Sequence, residues 1–312
     1  MFSYFSNIDT DKIFPYPQIS SLFQTLKILL TSLIIERDSE IEIDSNEKII
    51  EQIPIENQND ENVTITQNSD IYEGVATGKI GFFFDPTLPI KDRLKLASSC
   101  FDVFSNYGNS DITVTILLDS TIPQFCYEIL DPDFPMIFTN LLRYDIIFQA
   151  TLVLKSVFRF SPQQPIQAFA DEINLNLLSL YINPEFPKIT ENILLIIGYI
   201  LHFSSNAVFD AIDCGIFTKI FQLYYDADFG VKSTIFHVIA AGINNGDSSV
   251  VTSVFLKSDI LDILVDAIDT NIIDSKDEIP KALNILAQNA YSNGDDIYSM
   301  IIPIINEIQC CY

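Results

Sequence analysis

The chain has 312 residues, of which 48% are hydrophobic, and carries a formal net charge of −25 at pH 7. This apolar content is enough for a substantial core, which excludes a wholly disordered chain. The negative charge disfavours nucleic acid and anionic membranes, because both are bound chiefly through Lys and Arg. It favours a protein or peptide partner of basic character. The alternative interpretation is that the negative charge only keeps an apolar chain soluble.

The N-terminal segment, residues 1–35, contains the most apolar stretch of the chain at residues 19–35. That stretch is shorter than the roughly 20 residues needed to span a bilayer, and it contains Lys27, so we interpret it as a core or docking helix. Asp9 and Asp11 stand where a signal peptide needs positive charge. We therefore expect a cytoplasmic protein, with the nucleus as the alternative location.

Residues 36–79 differ in character from the rest of the chain. Acidic and polar residues replace the apolar periodicity there. Segments of this composition cannot bury enough apolar surface to offset the entropy of ordering. The sequence therefore predicts a flexible acidic linker between the N-terminal helix and a helical domain at residues 80–312.

The helical domain repeats itself with a period near 43 residues. Phe160-Ser161-Pro162 matches Phe203-Ser204-Ser205 at that offset, and a second set of apolar residues keeps the same register. That set aligns Ile173, Leu177 and Leu180 with Ile216, Ile220 and Leu223. Self-similarity at a fixed period of this length indicates a stack of structural repeats. We assign four units to residues 111–160, 161–203, 204–245 and 246–293, with caps near 90–107 and 296–309.

Each unit carries the pattern of three helices. In the third unit, apolar spacing and turn residues predict helices at 206–212, 216–225 and 231–244. Residues 215–220, Gly-Ile-Phe-Thr-Lys-Ile, and residues 282–287, Ala-Leu-Asn-Ile-Leu-Ala, resemble parts of the second and third helices of an armadillo repeat. The resemblance implies an all-α fold, a right-handed α-solenoid of about four repeats. HEAT-like packing and a nonrepetitive helical bundle are the alternatives.

The residues needed for catalysis or metal binding do not cluster in the sequence. The two histidines, His202 and His237, have no second ligand at metal spacing, and residues 74–79 lack the spacing of a phosphate-binding loop. The five cysteines form no CxxC pair, which is typical of reduced thiols. We predict that the chain is not an enzyme and has no catalytic residue, metal or cofactor.

The armadillo resemblance implies a binding groove lined by the third helices. Candidate groove residues are the polar and aromatic ones on those helices: Thr151, Lys155, Arg159, Tyr199, His202, His237, Gln288 and Asn289. Thr151, Lys155 and Arg159 fall at four-residue steps and are expected to share a helix face. An ordinary solvated helix face is the alternative interpretation of all these residues.

These features favour a protein-interaction scaffold or adaptor. The alternatives are a structural or regulatory subunit that docks through residues 19–35, and a divergent nuclear-transport adaptor. Nuclear-import adaptors of the family place Trp and Asn four residues apart on successive third helices. This chain has no Trp, and Asn289 stands with Ile285 at the matching positions, which counts against that role. One further hypothesis is self-inhibition, in which residues 36–79 bind to Lys155 and Arg159.

Overall fold

The computed structural model describes residues 16–35, 88–109, 111–161, 163–256, 260, 262–263, 266, 278–294 and 296–311. The predicted linker and residues 74–79 lie outside these ranges. Within them the regular structure is helical, and the β-type pairing is a single isolated bridge between Ile35 and Met136. The predicted all-α fold class is confirmed.

The helices follow the predicted units in chain order. Two helices come first: α1 (Tyr16–Ile34) and α2 (Ile90–Gly108). The first unit contains α3 (Asp111–Leu118), α4 (Ile122–Glu128) and α5 (Asn140–Phe160). The second contains α6 (Gln163–Asp171), α7 (Leu175–Ser179) and α8 (Pro187–Phe203). The third contains α9 (Ser205–Asp213), α10 (Ile216–Tyr224) and α11 (Phe229–Asn245).

The fourth unit is described in part. It opens with a short helical segment, α12 (Ser248–Val250), which continues as a π-helical turn at Val251–Phe255, and it ends with α13 (Glu278–Asn293). The last helix, α14 (Ile297–Cys311), packs against α13. It occupies the position predicted for the C-terminal cap.

Local signals explain the helix boundaries of the third unit. Gly215 separates α9 from α10 with a φ of 68°, a left-handed conformation that glycine adopts without steric cost. The carboxylate of Asp228 accepts a hydrogen bond from the Val231 amide and so caps α11. The three predicted helices therefore lie within two residues of the observed boundaries.

Two hydrogen bonds between neighbouring units join residues separated by nearly one sequence period. The Asn192 side-chain amide donates to the Thr151 hydroxyl at 3.1 Å, across 41 residues of sequence. The Lys219 ammonium donates to the backbone carbonyl of Ser179 at 3.0 Å, across 40 residues. Each contact joins corresponding layers of neighbouring units. The described units therefore stack in chain order, as in an α-solenoid.

Five long helices, α2, α5, α8, α11 and α13, pack side by side in that order. We call them the long-helix layer. Each inner member buries apolar residues against its neighbours; α8 alone buries Ile193, Ile196, Ile197, Ile200 and Leu201. The shorter helices pack against the other side of this layer. The hydrophobic core therefore runs along the whole stack between the long and short helices.

The N-terminal helix α1 covers the first end of the stack. Phe23 packs edge-on against Phe104 and Tyr107, with ring centroids 5.8 Å and 5.0 Å apart. The Lys27 ammonium donates to the Thr121 hydroxyl at 2.7 Å. The apolar face of α1 is thus occupied by the chain's own α2 and α3. Among the described helices, none has the length and apolar character to cross a membrane.

Candidate functional site

The long-helix layer presents a surface that extends across all the described units. Side chains on this surface come from helices that are consecutive in the stack, so a ligand lying across it would contact several units at once. Seven of the eight predicted groove residues are exposed or half-exposed on these long helices: Lys155, Arg159, Tyr199, His202, His237, Gln288 and Asn289.

Thr151 is the exception, and its prediction as a surface residue is wrong. Its side chain is buried, donates to the Phe148 carbonyl at 2.7 Å and accepts from the buried Asn192 amide. The hydroxyl therefore satisfies a polar group in the interface between α5 and α8. Thr151 holds the two helices together and does not reach a ligand.

Lys155 and Arg159 form the basic part of the surface. Lys155 is half-buried, and burial lowers the pKa of its ammonium; Glu191 opposes this shift, whereas Arg159 and Lys188 add to it. Arg159 is exposed, and its guanidinium lies 5.2 Å from the centre of the Phe160 ring. Glu191 on α8 is already paired with Lys188, Nζ to Oε2, at 3.0 Å.

Lys188 and Glu191 are surface residues that the sequence reasoning missed. Their three-residue spacing on a predicted third helix is the usual pattern of a helical ion pair and was a usable signal. Glu191 also lies close to the start of α11. A Cβ atom added at Gly230, in the first turn of that helix, would be 3.0 Å from Glu191 Oε2. This carboxylate therefore pairs with Lys188 and lies next to the first turn of α11.

Tyr199 and His237 form an aromatic pair at the junction of α8 and α11. Their ring centroids are 5.2 Å apart at an interplanar angle of 65°, an edge-to-face arrangement. The imidazole fits because residue 198 is glycine: a Cβ there would lie 2.3 Å from His237 Cδ2. The absence of a side chain at Gly198 thus leaves room for the imidazole of His237 against α8.

The remaining predicted residues lie at the ends of the long helices. His202 is exposed in the last turn of α8, with its ring 5.8 Å from that of Phe203. Gln288 is exposed on α13. Asn289 is half-exposed; it donates to the Ile285 carbonyl at 2.9 Å and accepts from the Ser248 hydroxyl. Asn289 therefore has a packing role within the fourth unit.

A separate open cleft of about 480 Å³ lies between the short helices of the first two units. Its lining includes Tyr127, Glu128, Asp131, Asn174 and Leu180. The Tyr127 hydroxyl accepts a hydrogen bond from the backbone N–H of Asn174 at 2.8 Å. This bond joins the first unit to the second. Within the described ranges, no group of three or more His, Cys, Asp or Glu side chains could hold a metal ion.

No protein-family model matches the chain, and no curated protein matches its sequence. Among solved structures, an engineered protein aligns with 68% of this chain and 48% of its own, at 16% identity and a TM-score of 0.50. A designed armadillo repeat protein aligns with 71% of this chain and 87% of its own, at 14% identity and a TM-score of 0.48.

A further solved structure is a designed armadillo repeat protein in complex with the peptide (KR)4. It aligns with 71% of this chain and 87% of its own, at 13% identity and a TM-score of 0.49. At such identities, structural likeness concerns the fold alone. Membership of the armadillo family therefore stays a prediction.

Proposed function

We propose that this chain is a non-enzymatic interaction scaffold that holds an extended segment of another protein against the long-helix layer. The observation that carries the proposal is the continuity of this surface across α5, α8, α11 and α13. A ligand lying across it gains contacts from several units without any rearrangement of the fold. The neighbouring helices hold the surface side chains in place, which reduces the entropy lost on binding.

The composition of the surface supports a protein ligand. It combines a half-exposed aromatic pair, Tyr199 and His237, with side chains that can donate hydrogen bonds, such as Arg159 and Gln288. Tyr and Arg are enriched at the energetic centres of protein interfaces, because each offers apolar area together with a polar group. An extended peptide also has backbone groups that need partners, and such side chains can supply them.

The alternative of a subunit that docks through residues 19–35 receives less support. The apolar face of α1 is buried against the first unit, so it is not available to another protein unless α1 detaches. The nuclear-transport alternative remains weak for the sequence reason given above, the absence of a Trp and Asn ladder.

Panning a displayed library of random peptides against the full chain tests the proposal. We expect enriched peptides to lose binding when Arg159, His202 and Gln288, three exposed residues of the layer, are all changed to Ala. The matched control changes Thr218 and Gln222, two exposed residues of the short helix α10, to Ala. Enrichment of no peptide, or equal loss in both variants, would reject the proposed function.

A further inference from the structure

Charge is distributed unevenly between the five long helices and the rest of the described chain. The five helices of the long-helix layer contain nine Lys and Arg residues against five Asp and Glu residues. The remaining described residues contain two Lys residues against seventeen Asp and Glu residues. The acidic residues that give the chain its net charge of −25 therefore lie mostly outside the long-helix layer. The layer itself carries more positive than negative side chains.

This surplus is concentrated where α5 meets α8. Lys155 and Arg159 stand one helical turn apart on α5, and Lys188 follows on α8. The carboxylate of Glu191 pairs with Lys188 at 3.0 Å. Among the described residues, no carboxylate forms an ion pair with Lys155 or Arg159. The site thus has two cations whose charge is left over after the local pairing.

The partial burial of the Lys155 ammonium favours binding of an anion beside it. Its ammonium is half-buried, and burial lowers its pKa, with Arg159 and Lys188 acting in the same direction and Glu191 against it. A carboxylate placed beside Lys155 and Arg159 would replace lost hydration and offset the repulsion between the cations. The guanidinium of Arg159 can hold a carboxylate through two parallel hydrogen bonds.

We propose that the partner of the long-helix layer is an acidic peptide segment, whose carboxylates bind to Lys155 and Arg159 across the junction of α5 and α8. This inference rests on the proposed function and specifies the chemistry of the ligand. The expectation of a basic partner came from the net charge of the whole chain, and that charge lies elsewhere. A long polyanion such as nucleic acid would extend beyond the long-helix layer toward the acidic residues of the rest of the chain, whereas a short acidic peptide can stay within the layer.

The aromatic pair of Tyr199 and His237 extends the same surface toward α11. An acidic segment bound at Lys155 and Arg159 that continues across α8 reaches Tyr199 and His237. The charge would set the orientation and the rate of association, and the aromatic pair would supply apolar contact area. The expected ligand therefore carries an acidic run followed by an aromatic or aliphatic residue.

The test uses the same displayed library of random peptides, with the full-length chain, and compares the mean net charge of enriched peptides with that of the input library. We expect acidic peptides to be enriched. Fluorescence anisotropy on one enriched peptide should then show at least about tenfold weaker binding to the variant K155E/R159E. The variant K95E/K281E makes the same charge change at exposed residues of α2 and α13, and its affinity should stay within about twofold. Arg159→Glu alone provides a variant at an exposed position if K155E/R159E fails to fold.

The outcomes separate this inference from the proposed function. Enrichment of neutral or basic peptides through the layer would overturn the acidic ligand and leave the scaffold intact. Failure to enrich any peptide, with the wild-type chain and also with the neutralised variant of the third arm, would overturn both. A third arm changes Glu40, Glu42 and Asp44 of the full chain to the corresponding amides. If acidic peptides bind only to that variant, the ligand is the chain's own acidic segment and an external partner is rejected; unchanged affinity supports an external partner.

Discussion

Replacement of Gly198 by Ala tests how closely α8 and α11 pack. The added methyl group would lie 2.3 Å from Cδ2 and 2.8 Å from Nε2 of His237, so the imidazole must move or the helices must separate. Overpacking of this kind costs about 1–3 kcal/mol. Ala is favoured over Gly within a helix by about 0.5–1 kcal/mol. We therefore expect Gly198→Ala to lower the free energy of unfolding by up to about 2.5 kcal/mol.

The sign of this effect should reverse when the imidazole is absent. In a His237→Ala background the methyl group meets no ring, so only the helix preference remains. Gly198→Ala should then raise the free energy of unfolding by about 0.5–1 kcal/mol. The coupling between the two positions would be about 1–3 kcal/mol, which is typical of residues in direct contact.

Urea unfolding followed by circular dichroism measures all four chains of this cycle, with linear extrapolation giving each free energy. The wild-type chain and His237→Ala provide the references for the two backgrounds. An equal effect of Gly198→Ala in both backgrounds would refute the close contact between Gly198 and His237, and with it the reasoning about the position of His237 on the surface.

Four further predictions concern the side chains of Thr151, Cys100 and Lys219. Thr151→Val should lower the free energy of unfolding by about 1–3 kcal/mol, because it strands a buried side-chain amide. Thr234→Val, whose hydroxyl bonds only its own helix, is the matched control and should cost less, as urea titration would show. Burial raises the pKa of the Cys100 thiol to about 12, so alkylation at mildly alkaline pH should spare it while labelling half-exposed Cys214; equal labelling by mass spectrometry would contradict this. The raised pKa of Cys100 also predicts that the free energy of unfolding falls as the pH rises from the ordinary pKa of a thiol toward about 12. Over this range the Cys100 thiol ionises in the unfolded chain and stays protonated in the folded one. Lys219→Met should reduce the free energy of unfolding by about 0.5–1.5 kcal/mol through loss of its inter-unit hydrogen bonds, and an unchanged urea midpoint would contradict that role.

The helices of the third unit could be predicted because their boundaries depend on local signals. Gly215 marks the left-handed turn, and Asp228 caps the helix that follows it. Apolar periodicity then fixes the faces that are buried. Such information is contained within a few neighbouring residues, so spacing alone is enough to read it.

The error at Thr151 has a physical cause that spacing cannot reveal. Residues four apart share a helix face, as Thr151 and Lys155 do. One edge of that face on α5 is covered by α8, and Thr151 lies at this edge. Thr151 is buried where α5 packs on α8, and its hydroxyl there accepts from Asn192, 41 residues away in sequence. The pairing of two polar residues in different units has no signature in the sequence of either helix.

The position of α1 was likewise beyond the sequence. Its apolar composition predicted that it would be buried against protein, yet the rings that receive Phe23, those of Phe104 and Tyr107, lie far along the chain. Composition reveals that a helix must be buried and leaves the choice of partner open. The structure identifies the partner as the first end of the stack.

We propose that the long-helix layer is the surface that binds a partner. Photo-crosslinking in cells tests it directly, with p-benzoylphenylalanine in place of Tyr199 in one chain and in place of Tyr225 in another. Tyr225 is 62% exposed at the end of the short helix α10, and it serves as the matched control on the other side of the stack. We predict a discrete crosslinked protein from position 199 and none from position 225. Crosslinking from position 225 alone would place the partner on the short helices and contradict binding at the long-helix layer.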